Sequence, residues 1–381
     1  MSNMKVVQFG EGNFLRGFVD FFVQLMNEKK SFDAAVQIIQ PRRESLSPVS
    51  QALNAQGGCY QICTRGILSG ETIEQFKEIT CVKGVDVWSN IEKYALEEDL
   101  RFVFSNTTES GIEYVKGAET FPAKVSRFLS MRQKANLPGL VFIPCELIEN
   151  NGEKLKECIL KYIDDAGEAS LRSYVEKECV FCSTLVDRIV SGYPDDESAA
   201  RYEKMLGKKD ECIVCAEPFH FIAIQTPNGY DLESEMPLKA SGVNVVYASD
   251  IAPYRKRKVR FLNATHTTIV YPALERGFTE VAEALEDPSF NSFIRKVLFE
   301  EIFPTVDLPD DEKTEYVNSV LERFANPFSH HRLESIALNT VSKWKARCLP
   351  VVCDYAKIFG RLPENIMQGY DAMARHYDNK H

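Results

Sequence analysis

The sequence predicts an α/β N-terminal domain built on buried parallel strands, followed by a mostly α-helical C-terminal domain. Three observations carry this expectation. The N-terminus runs strand, glycine turn, helix; short and almost wholly apolar runs recur through the first half; and beyond about residue 250 the apolar residues fall at helical spacing.

Element by element, Lys5 to Phe9 is a short apolar strand that ends in a glycine-rich turn. A helix follows, with Leu15, Phe18, Val19, Phe22 and Met26 on one face. The runs "AAVQIIQ" (Ala34 to Gln40), "LRFVFSNT" (Leu100 to Thr107) and "GLVFIPCE" (Gly139 to Glu146) are bounded by turn or polar residues and read as buried parallel strands. Gly152 to Tyr162 reads as a helix. The texture changes between Val245 and Ile251, which divides the chain into domains of residues 1–248 and 249–381. In the second, "DPSFNSFIRKVLFEEIF" sets Phe290, Phe293, Ile294, Val297, Leu298 and Ile302 at helical spacing behind an Asp-Pro start. "TEYVNSVLERF" repeats the pattern with Tyr316, Val317, Val320, Leu321 and Phe324.

With 381 residues, 44% hydrophobic and 26% charged, the chain has enough apolar material for two cores. Fifty-five acidic residues against 45 basic ones give a net charge of -10, which works against a polyphosphate partner unless a local patch overrides it. No apolar run of about 18 residues and no signal-peptide layout is present, so no membrane contact and a cytoplasmic location are expected. Eleven cysteines then read as reduced thiols. Cys179 and Cys182 with Cys212 and Cys215 form two CxxC pairs that could hold zinc, but their inner residues, Val-Phe and Ile-Val, suit strands better than the tight turns of a zinc knuckle. No metal is expected.

"GEGNFLR" (Gly10 to Arg16) is a partial dinucleotide fingerprint. Gly10 and Gly12 permit a tight turn and close approach of a pyrophosphate, while Leu15 stands where a third glycine would be. A turn that simply needs glycine is the bland alternative. The second strand ends at Gln40, with Arg42 and Arg43 just beyond. Glutamine can serve a ribose and the arginines a 2'-phosphate, so these residues leave NAD and NADP open. Candidate cofactor contacts are Gly10, Gly12, Asn13, Phe14, Arg16, Gln40 and, in "SNTTE", Asn106.

"YRKRKVRFLNATH" (Tyr254 to His266) could be a nucleic-acid stripe, a solvated helix face or an active-site edge. As a regular helix, at about 100 degrees per residue, it brings Lys258, Asn263 and His266 within an arc of roughly 140 degrees. Neighbouring cations and burial would lower the pKa of Lys258 toward that of a useful general base, and Asn263 and His266 could hydrogen-bond a carbonyl oxygen. Asp187 and Arg188 in "TLVDRIV" read as a buried charged pair that shapes a cleft, and Glu217 as similar.

In order along the chain, "GEGNFLRGF", "SNTTESGI", "PCELIENNG", "TLVDRIVSGYP", "EPFHFI" and "KVRFLNATHT" resemble the motifs of the mannitol dehydrogenase family, the polyol-specific long-chain dehydrogenases, over nearly the whole length. Within that family "FGEGNFLRGF", "SNTTE", "PCELI" and "SIALNTVSKWKARCLP" (Ser335 to Pro350) resemble the branch that interconverts D-tagaturonate and D-altronate. The resemblance implies a Rossmann-type N-terminal domain, a helical C-terminal domain, an active site in the cleft between them, and NAD. It puts the family's Lys-x4-Asn-x2-His motif on Lys258, Asn263 and His266, with the lysine as general acid/base. Many relatives carry an asparagine two residues after the cysteine of "PCELI"; here Leu147 stands there, which leaves more of the oxyanion role to Asn263. Relatives also continue past the final segment, so a shorter variant or a truncated chain is expected. A uronate needs a cation for its carboxylate, and His330, His331, Arg332, Lys343, Lys345 and Arg347 are available, with Lys343, Arg347 and His330 the candidates. The alternatives are a fructuronate reductase or mannitol dehydrogenase of the same family, a catalytically silent dinucleotide-binding protein, and a zinc-stabilised nucleic-acid binder.

Overall fold

The computed structural model describes residues 3–30, 32–107 and 111–378, so residues 108–110 of "SNTTESGI" lie outside the described residues. The chain forms two compact units. One takes in the chain up to Thr64 and Gln75–Ile251; the other is Arg65–Glu74 with the chain from Ala252 onward.

In the first unit a six-stranded sheet has the order Val82–Val87, Ala34–Gln40, Asn3–Phe9, Phe102–Ser105, Val141–Pro144, Val180–Phe181. Every neighbouring pair in it is parallel. The chain begins in the middle, steps outward through two strands, then returns to the other side of its first strand. The order therefore reverses between Asn3–Phe9 and Phe102–Ser105, and in such sheets ligands bind beyond the carboxyl ends of the strands at that point. Gly10 and Asn106 are the first residues past those two ends.

Both faces of the sheet are covered, which is why its strands read as continuous apolar runs. Phe18, Phe22, Met26 and Ile38 belong to one core; Val7, Phe9, Phe128, Phe142 and Ile159 belong to another. The helix after the glycine turn comes in two pieces, Asn13–Arg16 and Val19–Lys30. The interruption falls at Gly17, where a β-carbon would lie 2.9 Å from Val190 Cγ1. Leu15, Phe18, Val19, Phe22 and Met26 are all buried despite the break.

Val190–Gly192, Val214–Ala216, Tyr60–Leu68 and Glu71–Ile79 form a second sheet, and Val245–Tyr247, Phe221–Gln225 and Ser183–Asp187 a third. The two CxxC pairs belong to different sheets: Cys179 and Cys182 flank Val180–Phe181, and Cys215 lies in Val214–Ala216. All four thiols are buried, and burial pushes Cys179 up to about 11 and Cys182 up to about 12, away from the thiolate that zinc requires. Arg188 is buried and donates to the Gly17 and Glu217 carbonyls at 2.7 and 3.0 Å, with its guanidinium 4.5 Å from the Phe21 ring centre. Its role is to tie the glycine turn to the strands behind it.

The second unit is helical. Ala252–Lys258, Val259–Ala264 and Thr265–Glu275 run on from one another, with π-helical hydrogen bonding in the middle piece. Pro288–Arg295 passes into a second π-helical stretch, Lys296–Ile302. Asp310–Phe324, Thr340–Arg347, Leu349–Phe359 and Glu364–Asp378 complete the longer elements. Among the described residues no helix is long and apolar enough to cross a membrane.

Candidate active site

A cavity of about 740 Å³ opens at the reversal point of the six-stranded sheet. Gly10, Gly12, Asn13, Arg16, Gln40 and Asn106 line it; Phe14 instead stacks on Phe18, ring centres 4.9 Å apart. Gly10 has φ +120°, a left-handed value that glycine adopts without strain, and its amide donates to Ile39 O at 3.0 Å. A β-carbon on Gly12 would meet nothing within 4 Å, so this glycine keeps open space rather than protein contact. Room at that point, next to the start of a helix, fits the pyrophosphate of a dinucleotide.

Asn13 and Arg16 hold the turn in shape. Arg16 is buried and donates to Cys212 O at 2.6 Å, Asn13 Oδ1 at 2.7 Å and Glu11 O at 3.1 Å. Asn13 lies over Gly192, where a β-carbon would come 2.3 Å from its Nδ2. The loop after the fourth-placed strand, Phe102–Ser105, is pinned by buried Glu146. Its carboxylate accepts from Thr107 N at 2.9 Å, Thr107 Oγ1 at 3.0 Å and Ser105 Oγ at 3.1 Å. Burial raises the pKa of this carboxyl group, and those donors pull it partly back.

Leu147, which replaces the expected asparagine, is 64% exposed. Asn151, four residues on, is buried and donates to Pro144 O and Glu146 O while accepting from Thr184 N, so it braces the strand ends. Glu11, Thr107, Tyr193 and Glu211 also line the cavity. Glu11 sits inside the glycine motif and could have been read there; Tyr193 and Glu211 arrive from distant segments with no local signal.

The second constellation lies on the broken helix of the helical unit. Lys258 ends the first α-helical piece, Asn263 sits in the π-helical piece and His266 is the second residue of the next. Bonds from i to i+5 set residues five apart one turn above another, so Lys258 and Asn263 come closer in direction than the roughly 140 degrees of a regular helix. All three are half-buried. Two neighbours in the basic run are not solvated. Arg260 donates to Thr305 O and Asp354 Oδ2, both at 2.6 Å, and the Arg257 guanidinium lies 4.2 Å from the Tyr316 ring centre. These arginines anchor the helix and thereby fix the direction of the residues between them.

Asn263 Oδ1 and His266 Nε2 are buried without a hydrogen-bond partner among the described residues, an arrangement that a polar ligand relieves. His266 stacks on Phe324 at 4.3 Å and meets the edge of His331 at 5.4 Å. Burial, then the charges of His331, Arg323, Arg347 and Lys343, push its pKa well below the usual histidine range, so the ring is neutral. Arg347 is half-buried and reaches Thr267 Oγ1 at 3.5 Å; Lys343 donates to Ile336 O at 3.0 Å. Burial lowers the pKa of both. Both cations therefore act on His266, whereas His330 is exposed and turned to Glu280, with Nδ1 3.1 Å from Oε1.

Known proteins share both units. The sequence model of the mannitol dehydrogenase Rossmann domain matches residues 4–237, and that of the mannitol dehydrogenase C-terminal domain matches residues 250–381. Altronate oxidoreductase of Bacillus subtilis (strain 168) is 39% identical over 393 residues, covering 99% of this chain and 80% of the relative. The Shigella flexneri altronate oxidoreductase is 38% identical over 390 residues, covering 98% and 80%. Substrate-free D-sorbitol dehydrogenase superposes with a TM-score of 0.83 at 22% identity, over 97% of this chain and 80% of that one. The Pseudomonas fluorescens mannitol 2-dehydrogenase complex with NAD and D-mannitol gives 0.74 at 19% identity, over 98% and 79%. The strand reversal, the glycine turn and the helix bearing Lys258, Asn263 and His266 thus stand on a fold and sequence pattern that make this chain a member of the mannitol dehydrogenase family.

Proposed function

We propose that the protein is a cytoplasmic, NAD-dependent oxidoreductase that interconverts D-tagaturonate and D-altronate. The observation that carries this reading is the 38–39% identity to altronate oxidoreductases over 98–99% of the chain. The open space at Gly12 and the cavity at the strand reversal suit the dinucleotide. When bound, the nicotinamide supplies or accepts hydride at the carbon of the reacting carbonyl or alcohol.

The chain's own residues handle the oxygen. In the reducing direction Lys258 Nζ gives a proton to the oxygen as it becomes an alkoxide; in the oxidising direction the amine takes that proton back. Asn263 through its amide N–H and neutral His266 through an Nε2–H donate to the same oxygen and orient it, which helps only if they are fixed in advance. The π-helical turn and the anchored Arg257 and Arg260 supply that rigidity. Arg347, with Lys343 beside it, offers the guanidinium fork suited to a sugar-acid carboxylate.

NADH oxidation followed by absorbance, with tagaturonate, fructuronate and fructose side by side and again with NADPH, tests the reading. Selective turnover of tagaturonate supports it; preference for fructuronate or fructose moves the protein to another branch of the family. Lys258→Ala is expected to lower kcat by about 10²-fold or more while NADH affinity changes by less than about twofold. Substantial residual turnover near neutral pH would remove Lys258 from its role.

A further inference from the structure

We infer that the acidic group for the adenosine ribose is Glu11, inside the glycine turn, and that it selects NAD(H) over NADP(H). This rests on the dinucleotide reading above. In sheets of this topology the tip of the second strand usually carries an acid that accepts from the ribose 2'-hydroxyl. Here the tip is Gln40, 1% exposed.

The direction of its amide is settled by a backbone donor. Ser47 N–H can only donate, and it lies 3.2 Å from Gln40 Oε1, so the opposite end of the amide, Nε2, is the one that faces Glu11. Nε2 donates to Glu11 Oε1 at 2.5 Å. Ser47 is itself fixed as the cap of the helix Pro48–Ala55, where its side chain accepts from Ser50 N. Gln40 is thus a bracket that holds a carboxylate from the glycine turn at the place where the second strand would normally provide one. Glu11 Oε2 has no hydrogen-bond partner among the described residues, and Glu11 lines the cavity with Gly10, Gly12 and Gln40.

A carboxylate so placed accepts from ribose hydroxyls and repels a 2'-phosphate. Arg42 and Arg43 line the same cavity and would favour that phosphate. They are exposed, where solvent and salt screen their charge, whereas Glu11 is half-buried and bracketed; the carboxylate is expected to prevail.

The test is titration of NADH and NADPH by nucleotide fluorescence without substrate, on the wild type, Glu11→Gln and Glu11→Lys. The wild type is expected to bind NADH more tightly. Glu11→Gln should weaken NADH by about tenfold and shrink the preference by at least about tenfold, and Glu11→Lys should invert it. Two variants of graded charge keep the test valid if one fails to fold. A preference unchanged in a folded variant, or tighter NADPH binding by the wild type, overturns the inference while leaving dinucleotide binding in place. Failure of the wild type to bind either nucleotide overturns both.

Discussion

His266 shows how one side chain's surroundings set its chemistry. Its ring lies between Phe324 and the edge of His331, and cations on neighbouring elements add to the burial that keeps it neutral. A neutral imidazole can donate through one nitrogen and accept through the other; it does not act as an acid near pH 7. His266→Asn is therefore expected to lower kcat/KM by about 10- to 100-fold, the worth of a hydrogen bond or two, without removing any acidic limb of kcat/KM above about pH 6. A pH–rate profile of the variant checks this, and loss of such a limb would mean that His266 titrates in the working range.

At the level of elements, close approach decides more than propensity. Helix Glu364–Asp378 meets helix Thr265–Glu275, two residues beyond His266, at Gly369, where a β-carbon would lie 2.4 Å from Thr268 O. Alanine normally favours a helix over glycine by about 0.5–1 kcal/mol, but forcing an extra carbon into a packed contact costs about 1–3 kcal/mol. The second effect is larger. Gly369→Ala is expected to lower stability in urea unfolding and to reduce kcat through the shifted helix; a more stable variant would show that the helices can part without cost. The π-helical turn acts on the same element by aligning Lys258 with Asn263, and no apolar periodicity in "VRFLNA" announces it.

For the molecule as a whole, stability against pH is set by buried groups with opposite slopes. Asp20 is buried beneath the glycine turn, accepting from Tyr60 OH at 2.8 Å, and burial raises its pKa to about 7. The folded state then holds a proton that the unfolded state has lost, so Asp20 makes stability fall as pH rises from about 4 to about 7. His220, held beside Phe21 and Phe22, has its pKa lowered by burial to about 4. There the unfolded state binds the extra proton, and stability falls as pH drops from about 6.5 to about 4. Over that window the two largely cancel. Asp20→Asn removes one slope, so stability measured by urea unfolding should lose about 1.4 kcal/mol more per pH unit on acidification than the wild type, near pH 5. Parallel curves for both proteins would count against a protonated Asp20.

What the sequence determined by itself is whatever depends on neighbours in the chain. Ala34–Gln40 reads as a buried strand because every residue of it is buried, and Asp287 reads as a helix start because its side chain caps Phe290 N three residues on. The glycine turn is legible because its strand, turn and helix are consecutive, and Lys258, Asn263 and His266 because nine consecutive residues hold all three. Tertiary structure alone decided the rest. Glu11 and Gln40 are 29 residues apart and meet only because parallel strands bring their ends side by side. Arg16 reaches Cys212 across 196 residues, His331 rather than His330 turns to His266, and Arg65–Glu74 joins the helical unit through contacts such as Gly70 N to Glu322 Oε1. Such contacts follow from how packed sheets and helices exclude water from their faces, a property of the whole chain that no local pattern encodes.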